Sequence, residues 1–124
     1  MKKLLTALLL ALAVNLASAQ HFLRAKQFTL GVKKTSGISW QTPTTSEILI
    51  VVENTKLVIH SKVKQEYRKI SLLEQTATTS KWRSSDAEGK LCNIFMFTLP
   101  DAPGYFYVGV EYNDVIWYYT TVFE

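Results

Sequence analysis

The sequence predicts an all-β domain: a small, mainly antiparallel meander barrel of about seven to nine short strands, with a two-layer β-sandwich as the alternative architecture. Two observations predict it. β-branched and aromatic residues arrive in short runs separated by Gly, Pro, Asn, Asp and Ser, which is the punctuation of strands and turns. Two pairs of these runs also fold onto one another in registers that match charge to charge and apolar to apolar.

The first element is MKKLLTALLLALAVNLASAQ. Lys2 and Lys3 precede an apolar run from Leu4 to Leu16, and small residues stand at Ala17 and Ala19. This is the charged, apolar and small-residue order of a secretory signal peptide, so residues 1–19 are expected to be removed by a cut after Ala19. The apolar run falls short of the ~20 residues that span a bilayer, and the mature chain is not expected to be membrane-spanning after processing. The expected location is secreted or periplasmic. Of the 124 residues, 20–124 then form a single all-β domain, enough for one hydrophobic core. Removing Lys2 and Lys3 lowers the formal net charge from +4 to +2, a weak basicity that argues little, and no nucleic-acid partner is expected of an exported domain. Cys92 is the one cysteine, so no intrachain disulfide staples the fold. Between the apolar neighbours of LCNIFMF it reads as a small buried hydrophobe.

FTLGVK, Phe28 to Lys33, alternates as a first strand. TSGISWQTPTTS, Thr35 to Ser46, gathers Gly37, Pro43, Ser and Thr and is expected to be a loop carrying Trp40. SEILIVVENTKLVIHSK then forms a hairpin about Asn54 and Thr55. Val52 faces Leu57, Ile50 faces Ile59 and Ile48 faces Ser61; on the other side Glu53 meets Lys56, Val51 meets Val58, Leu49 meets His60 and Glu47 meets Lys62. For Ser61–Gln75 two readings stand. Val63, Tyr67, Ile70 and Leu73 lie at helical spacing, whereas VIHSKVK and YRKISLLEQ read as separate strands, the reading favoured because the hairpins need partners. The charges of KVKQEYRK are expected on a solvated strand face.

TTSKWR and KLCNIFMFTL follow, joined by SSDAEG with Gly89 in the left-handed position of the turn. Leu91 to Leu99 is apolar on both faces and predicts a central strand covered on both sides. The final stretch, YFYVGVEYNDVIWYYTTVFE, holds more than half of the chain's Phe, Tyr and Trp. With Asn113-Asp114 as the turn, Tyr112, Val110, Val108 and Phe106 face Val115, Trp117, Tyr119 and Thr121, an apolar face that assigns Phe106, Tyr112, Trp117, Tyr119 and Phe123 to the core. The opposite face pairs Glu111, Gly109, Tyr107 and Tyr105 with Ile116, Tyr118, Thr120 and Val122, with Tyr118 lying over the bare backbone of Gly109.

Chemistry is sparse. His60 is expected to face solvent, and His21, second in the mature chain, to sit in a frayed terminus where it ligates a metal only if cleavage is displaced. No residue is nominated as catalytic or metal-binding, and no cofactor is expected: Ser, His and Cys show no nucleophile motif, and the acids stand mostly in or beside turns. The strand count, the meandering order and GISW, Gly37 to Trp40, resemble the small lipocalin-like or calycin-type secreted barrels. GISW has one residue more than that family's Gly-x-Trp and the chain is shorter, so the resemblance implies a fold and transfers no functional residue.

The function expected is an exported, non-enzymatic binding module that holds an apolar ligand or presents an aromatic patch. Its ligand-binding residues are Tyr105, Tyr107, Tyr118 and Trp40, and its partner is an apolar small molecule, a glycan or an envelope protein. The alternatives are an exported inhibitor or partner-binding domain using the Thr35–Ser46 loop, and a small carboxylate-dependent hydrolase or isomerase.

Overall fold

In the computed structural model, residues 20–124 are described; the expected leader, 1–19, lies outside them. They form nine antiparallel strands: β1 (His21–Lys34), β2 (Gly37–Trp40), β3 (Thr44–Val52), β4 (Lys56–His60), β5 (Lys64–Gln75), β6 (Thr79–Asp86), β7 (Leu91–Phe97), β8 (Phe106–Glu111) and β9 (Val115–Phe123). Neighbours in sequence pair in the order β1, β3, β4, β5, β6, β7, β8, β9, and β1 pairs with β9 to close an eight-stranded barrel with β2 outside it. The closed ladder rules out the sandwich. Among the described residues there is no helix, and so none long and apolar enough to cross a membrane.

Alternation explains what fills the barrel. Ile50 and Val52 of β3, Leu57 and Ile59 of β4, Tyr67 of β5, Ile94 and Met96 of β7, and Phe106, Val108 and Val110 of β8 form one buried cluster with Leu23, Ala25, Cys92 and Tyr119. An eight-stranded barrel is just wide enough for inward side chains to meet across its axis, and here they do. Phe28, Trp82, Tyr112, Trp117 and Phe123 pack against the cluster, so the five aromatics assigned to the core lie in or against it. The buried hydroxyl of Thr121 donates to the Phe106 carbonyl at 2.8 Å, and the Trp82 indole to Ser80 Oγ at 3.1 Å, which removes the cost of burying them unpaired.

Both hairpin registers are as expected along their ladders: Val52 opposite Leu57 to Leu49 opposite His60, and Glu111 opposite Ile116 to Phe106 opposite Thr121. The differences lie at their ends. The β3–β4 ladder stops at His60, Ser61 turns the chain, and Glu47 pairs with Lys26 at 3.1 Å instead of with Lys62. Tyr105 precedes β8 and bonds through its N–H to the Ala102 carbonyl, outside the ladder with Val122.

Within Ser61–Gln75 the strand reading holds for Lys64–Gln75, and the break from β4 falls at Ser61–Val63, inside VIHSKVK. Two bulges, between Lys69 and Ser71 and between Leu72 and Glu74, leave Ile70 and Leu73 as extra residues turned to solvent. The helical spacing was therefore coincidental, for Val63, Ile70 and Leu73 are all exposed. A bulge between Ala25 and Gln27 in β1 also switches the inward set, from Leu23 and Ala25 to Phe28. His21, expected to fray, is held in β1 opposite Val52.

Thr35–Ser46 is no loop. β2 and β3 run in line along the same edge of β1, interrupted only at Gln41–Pro43, where the Gln41 N–H still donates to the Leu30 carbonyl. Gly37, with a φ of 132°, makes the tight reversal between β1 and β2. Trp40 consequently lies on a strand.

Candidate functional site

The outer wall opposite this core carries a cluster of aromatic rings over β2, β9, β8 and β7. Residues paired across a ladder share a side of the sheet, so the registers define rows on that wall. One row runs Arg83, Asn93, Glu111, Ile116, Gly31, Trp40 from β6 round to β2. The next runs Lys81, Phe95, Gly109, Tyr118, Thr29, and a third Thr79, Phe97, Tyr107, Thr120.

Tyr118 is the centre of the aromatic part. Its ring meets Trp40 at 5.8 Å, Phe95 at 6.3 Å, Phe97 at 5.7 Å and Tyr107 at 5.8 Å between centroids. Phe97 stacks on Tyr107 at 5.2 Å and on Phe95 at 6.0 Å. Two glycines make this possible. A Cβ on Gly109 would overlap the ring of Phe95, which lies across the bare backbone, and a Cβ on Gly31 would come within 2.8 Å of the Trp40 ring and 2.7 Å of Ile38. The expectation that Tyr118 covers Gly109 is corrected: Tyr118 stands opposite it, and Phe95 from the other neighbouring strand closes over it. Trp40 remains 49% exposed, and the four other rings are half-buried. Burial, together with the field of Tyr107, pushes the Tyr118 phenol up to about 12, so it stays a neutral hydrogen-bonding group.

Of the nominated residues, Trp40, Tyr107 and Tyr118 are brought together. Tyr105 lies in the β7–β8 connection, 43% exposed, and makes no ring contact with them among the described residues. Phe95 and Phe97 were missed. The expectation that β7 is covered on both sides is corrected, since Cys92, Ile94 and Met96 face the core while Leu91, Phe95 and Phe97 face outward, with Leu91 exposed. An apolar run reads alike whether its second face is covered by another layer or by its own neighbours; only the adjacent Gly109 carried a hint of the ring above it.

The open end of the barrel holds a second candidate, a cleft of about 420 Å³ formed by Phe28, Ile48, Val63, Gln65, Trp117 and Tyr119 with Ser61 and Lys62. Its Gln65 accepts at Oε1 a hydrogen bond from the buried Tyr67 hydroxyl at 2.7 Å, and burial pushes the Tyr67 phenol up to about 12. Beside it the Tyr112 hydroxyl donates to Asp86 at 2.8 Å, and the same carboxylate accepts the backbone N–H groups of Glu88 and Lys90. Those bonds outweigh burial and hold Asp86 below its usual range. Burial pushes the Cys92 thiol up to about 11, away from the thiolate a nucleophile needs.

At the other end Lys69 departs from the solvated face expected of it. It turns inward, donates to the Glu53 carbonyl at 2.9 Å and lies 4.9 Å above the Trp82 ring, and burial lowers it to about 8. Burial and the Lys69 charge likewise lower His21. Among the described residues no three His, Cys, Asp or Glu converge as metal ligands, and Glu111, Glu66, Glu47 and Glu124 each face a cation. Comparison with protein-family models, with curated proteins and with solved structures finds no match.

Proposed function

We propose that the chain is an exported, non-enzymatic binding module that meets its ligand on the outer aromatic wall. One observation carries this reading: Trp40, Tyr118, Tyr107, Phe97 and Phe95 form a contiguous, partly exposed group of rings on a stiff closed sheet. Rings held by neighbouring rings lose little conformational freedom on binding, and their faces suit sugar rings, apolar small molecules or a protein side chain. Export is supported by the order of charges, apolar residues and small residues in 1–19.

A second reading, an apolar small molecule at the barrel's open end, is favoured by the cleft beside Trp117, whose volume lies in the range of ligand sites. Indole N–H resonances separate the two, because Trp40 reports on the wall, Trp117 on the open end and Trp82 on the interior. Titration with a library of glycans, lipids and peptides is expected to shift Trp40 and not Trp117, and Trp40→Ala is expected to abolish binding. A response at Trp117 alone would overturn the wall reading in favour of the cleft, and silence at all three indoles would overturn both.

A further inference from the structure

The aromatic wall does not end in neutral surface. Along β6 to β9 the row above Phe95 and Gly109 is Arg83, Asn93, Glu111 and Ile116, and it borders a cleft of about 390 Å³ lined by Lys33, Arg83, Lys90, Asn93, Glu111 and Asn113. The charges around it do not balance. Glu111 is shared by Lys33 at 2.8 Å and Lys81 at 4.0 Å. The Arg83 guanidinium donates to the Asn93 side-chain carbonyl, at 3.4 Å, and appears in no ion pair among the described residues. Lys90 lies 5.0 Å over the Tyr112 ring, near Asp86, but the Asp86 oxygens are engaged by the Tyr112 hydroxyl and two backbone N–H groups. Three cations, Lys33, Arg83 and Lys90, thus line one cleft with the Glu111 carboxylate, which Lys81 also approaches, and the Arg83, Asn93, Glu111 row adjoins the row of Phe95 and Tyr118.

We infer that the wall takes an acidic polysaccharide, its sugar faces stacked on Tyr118, Phe97 and Trp40 and its negative substituents seated beside Arg83 and Lys90; this rests on the aromatic-wall reading above. Three features favour a sugar over other anions. Hydroxyl groups need acceptors as well as donors, and Glu111, Asn93 and Asn113 supply both among the cations. A phosphodiester strand would gain from every cation and lose by the Glu111 carboxylate, whereas a chain with one acid per sugar or two meets both. The rings also present their faces and edges at angles from 19° to 81°, a stepped surface that suits puckered sugars better than a stack of flat bases.

The test uses residues 20–124 with a galacturonate hexamer and a heparin-derived hexasaccharide as carboxylate and sulfate arms, a neutral cellohexaose and a single-stranded DNA hexamer, read by calorimetry and by the Trp40 indole shift. The acidic sugars are expected to bind about tenfold or more tighter than cellohexaose at low salt and to lose that advantage as salt screens them. Arg83→Gln and Lys90→Gln are each expected to weaken the acidic sugar up to about fivefold and leave the melting temperature unchanged. Whichever acidic arm binds tighter identifies the substituent. Equal binding of cellohexaose would overturn the acidic preference and leave the aromatic-wall reading intact. Tighter binding of the DNA hexamer, or no binding of any sugar, would overturn the inference, and the wall reading would then stand or fall on the Trp40 response to the non-sugar ligands.

Discussion

Replacing Gly109 with alanine tests whether the outer rings form a second packed layer and not a scatter of surface aromatics. The new methyl would overlap the outer edge of the Phe95 ring, so the ring must shift, and the outcome expected is that it swings off the sheet. Fully burying a Phe side chain contributes about 1.5–3 kcal/mol, and the half-buried Phe95 forfeits about 1 kcal/mol of this. It also loses its contacts with Phe97 at 6.0 Å and Tyr118 at 6.3 Å, worth about 0.5–1.5 kcal/mol each. Against this, exchanging a strand glycine for alanine returns about 0.5–1 kcal/mol. The net cost is about 2 kcal/mol, or a melting temperature lower by roughly 10 °C for a domain of this size. Thermal and urea unfolding of Gly109→Ala, Phe95→Ala and the double variant form the assay. In the Phe95→Ala background the ring nearest to the methyl is gone, and Gly109→Ala is expected to be neutral or slightly stabilising. Equal destabilisation by Gly109→Ala with and without the Phe95 ring would refute this account of the layer.

The remaining predictions concern the core, the wall and the two barrel ends. Ile59→Ala, at a fully buried position, is expected to cost about 2–5 kcal/mol in urea unfolding. Gly31→Ala is expected to displace the Trp40 ring, seen as a shifted indole resonance and more solvent-exposed fluorescence, with less than about 1 kcal/mol lost because Trp40 is already half-exposed. Lys69 releases its proton near 8 when folded and near 10.5 when unfolded, so between those values the unfolded chain binds more protons and stability rises with pH. Above about 10 the rise reverses, because burial keeps Tyr67, Tyr112, Tyr118 and Tyr119 protonated only in the folded state. Urea midpoints measured across this range should show the rise in the native chain and lose it in Lys69→Met.

Much of the fold was legible because its hairpins are local. The turns at Asn54-Thr55 and Asn113-Asp114 set their registers, and period-two alternation then placed Ile50, Ile59, Val108 and Tyr119 inward without reference to the rest of the chain. Pairings that span distant parts of the chain were beyond that logic. The β1–β9 closure and the bulges at Lys26, Ile70 and Leu73 arise because a closing barrel must shear and bend its strands, and no local pattern encodes where the extra residue falls.

The candidate site divides in the same way. Alternation alone set Tyr107 and Tyr118 on the face opposite the core and marked Gly109 as a bare patch beneath an aromatic. Trp40 reaches them only because β2 docks on β1 and β1 closes on β9, which carries an indole across Gly31 from nearly eighty residues away in the chain. Phe95 and Phe97, and the cations of β6 beside them, join the same wall through the β6–β7 and β7–β8 ladders. Within the two hairpins the sequence by itself determined which side chains turn in and which turn out, since that depends on a backbone period of two. Tertiary structure decided which outward side chains become neighbours, since that depends on the order and stagger in which the strands close.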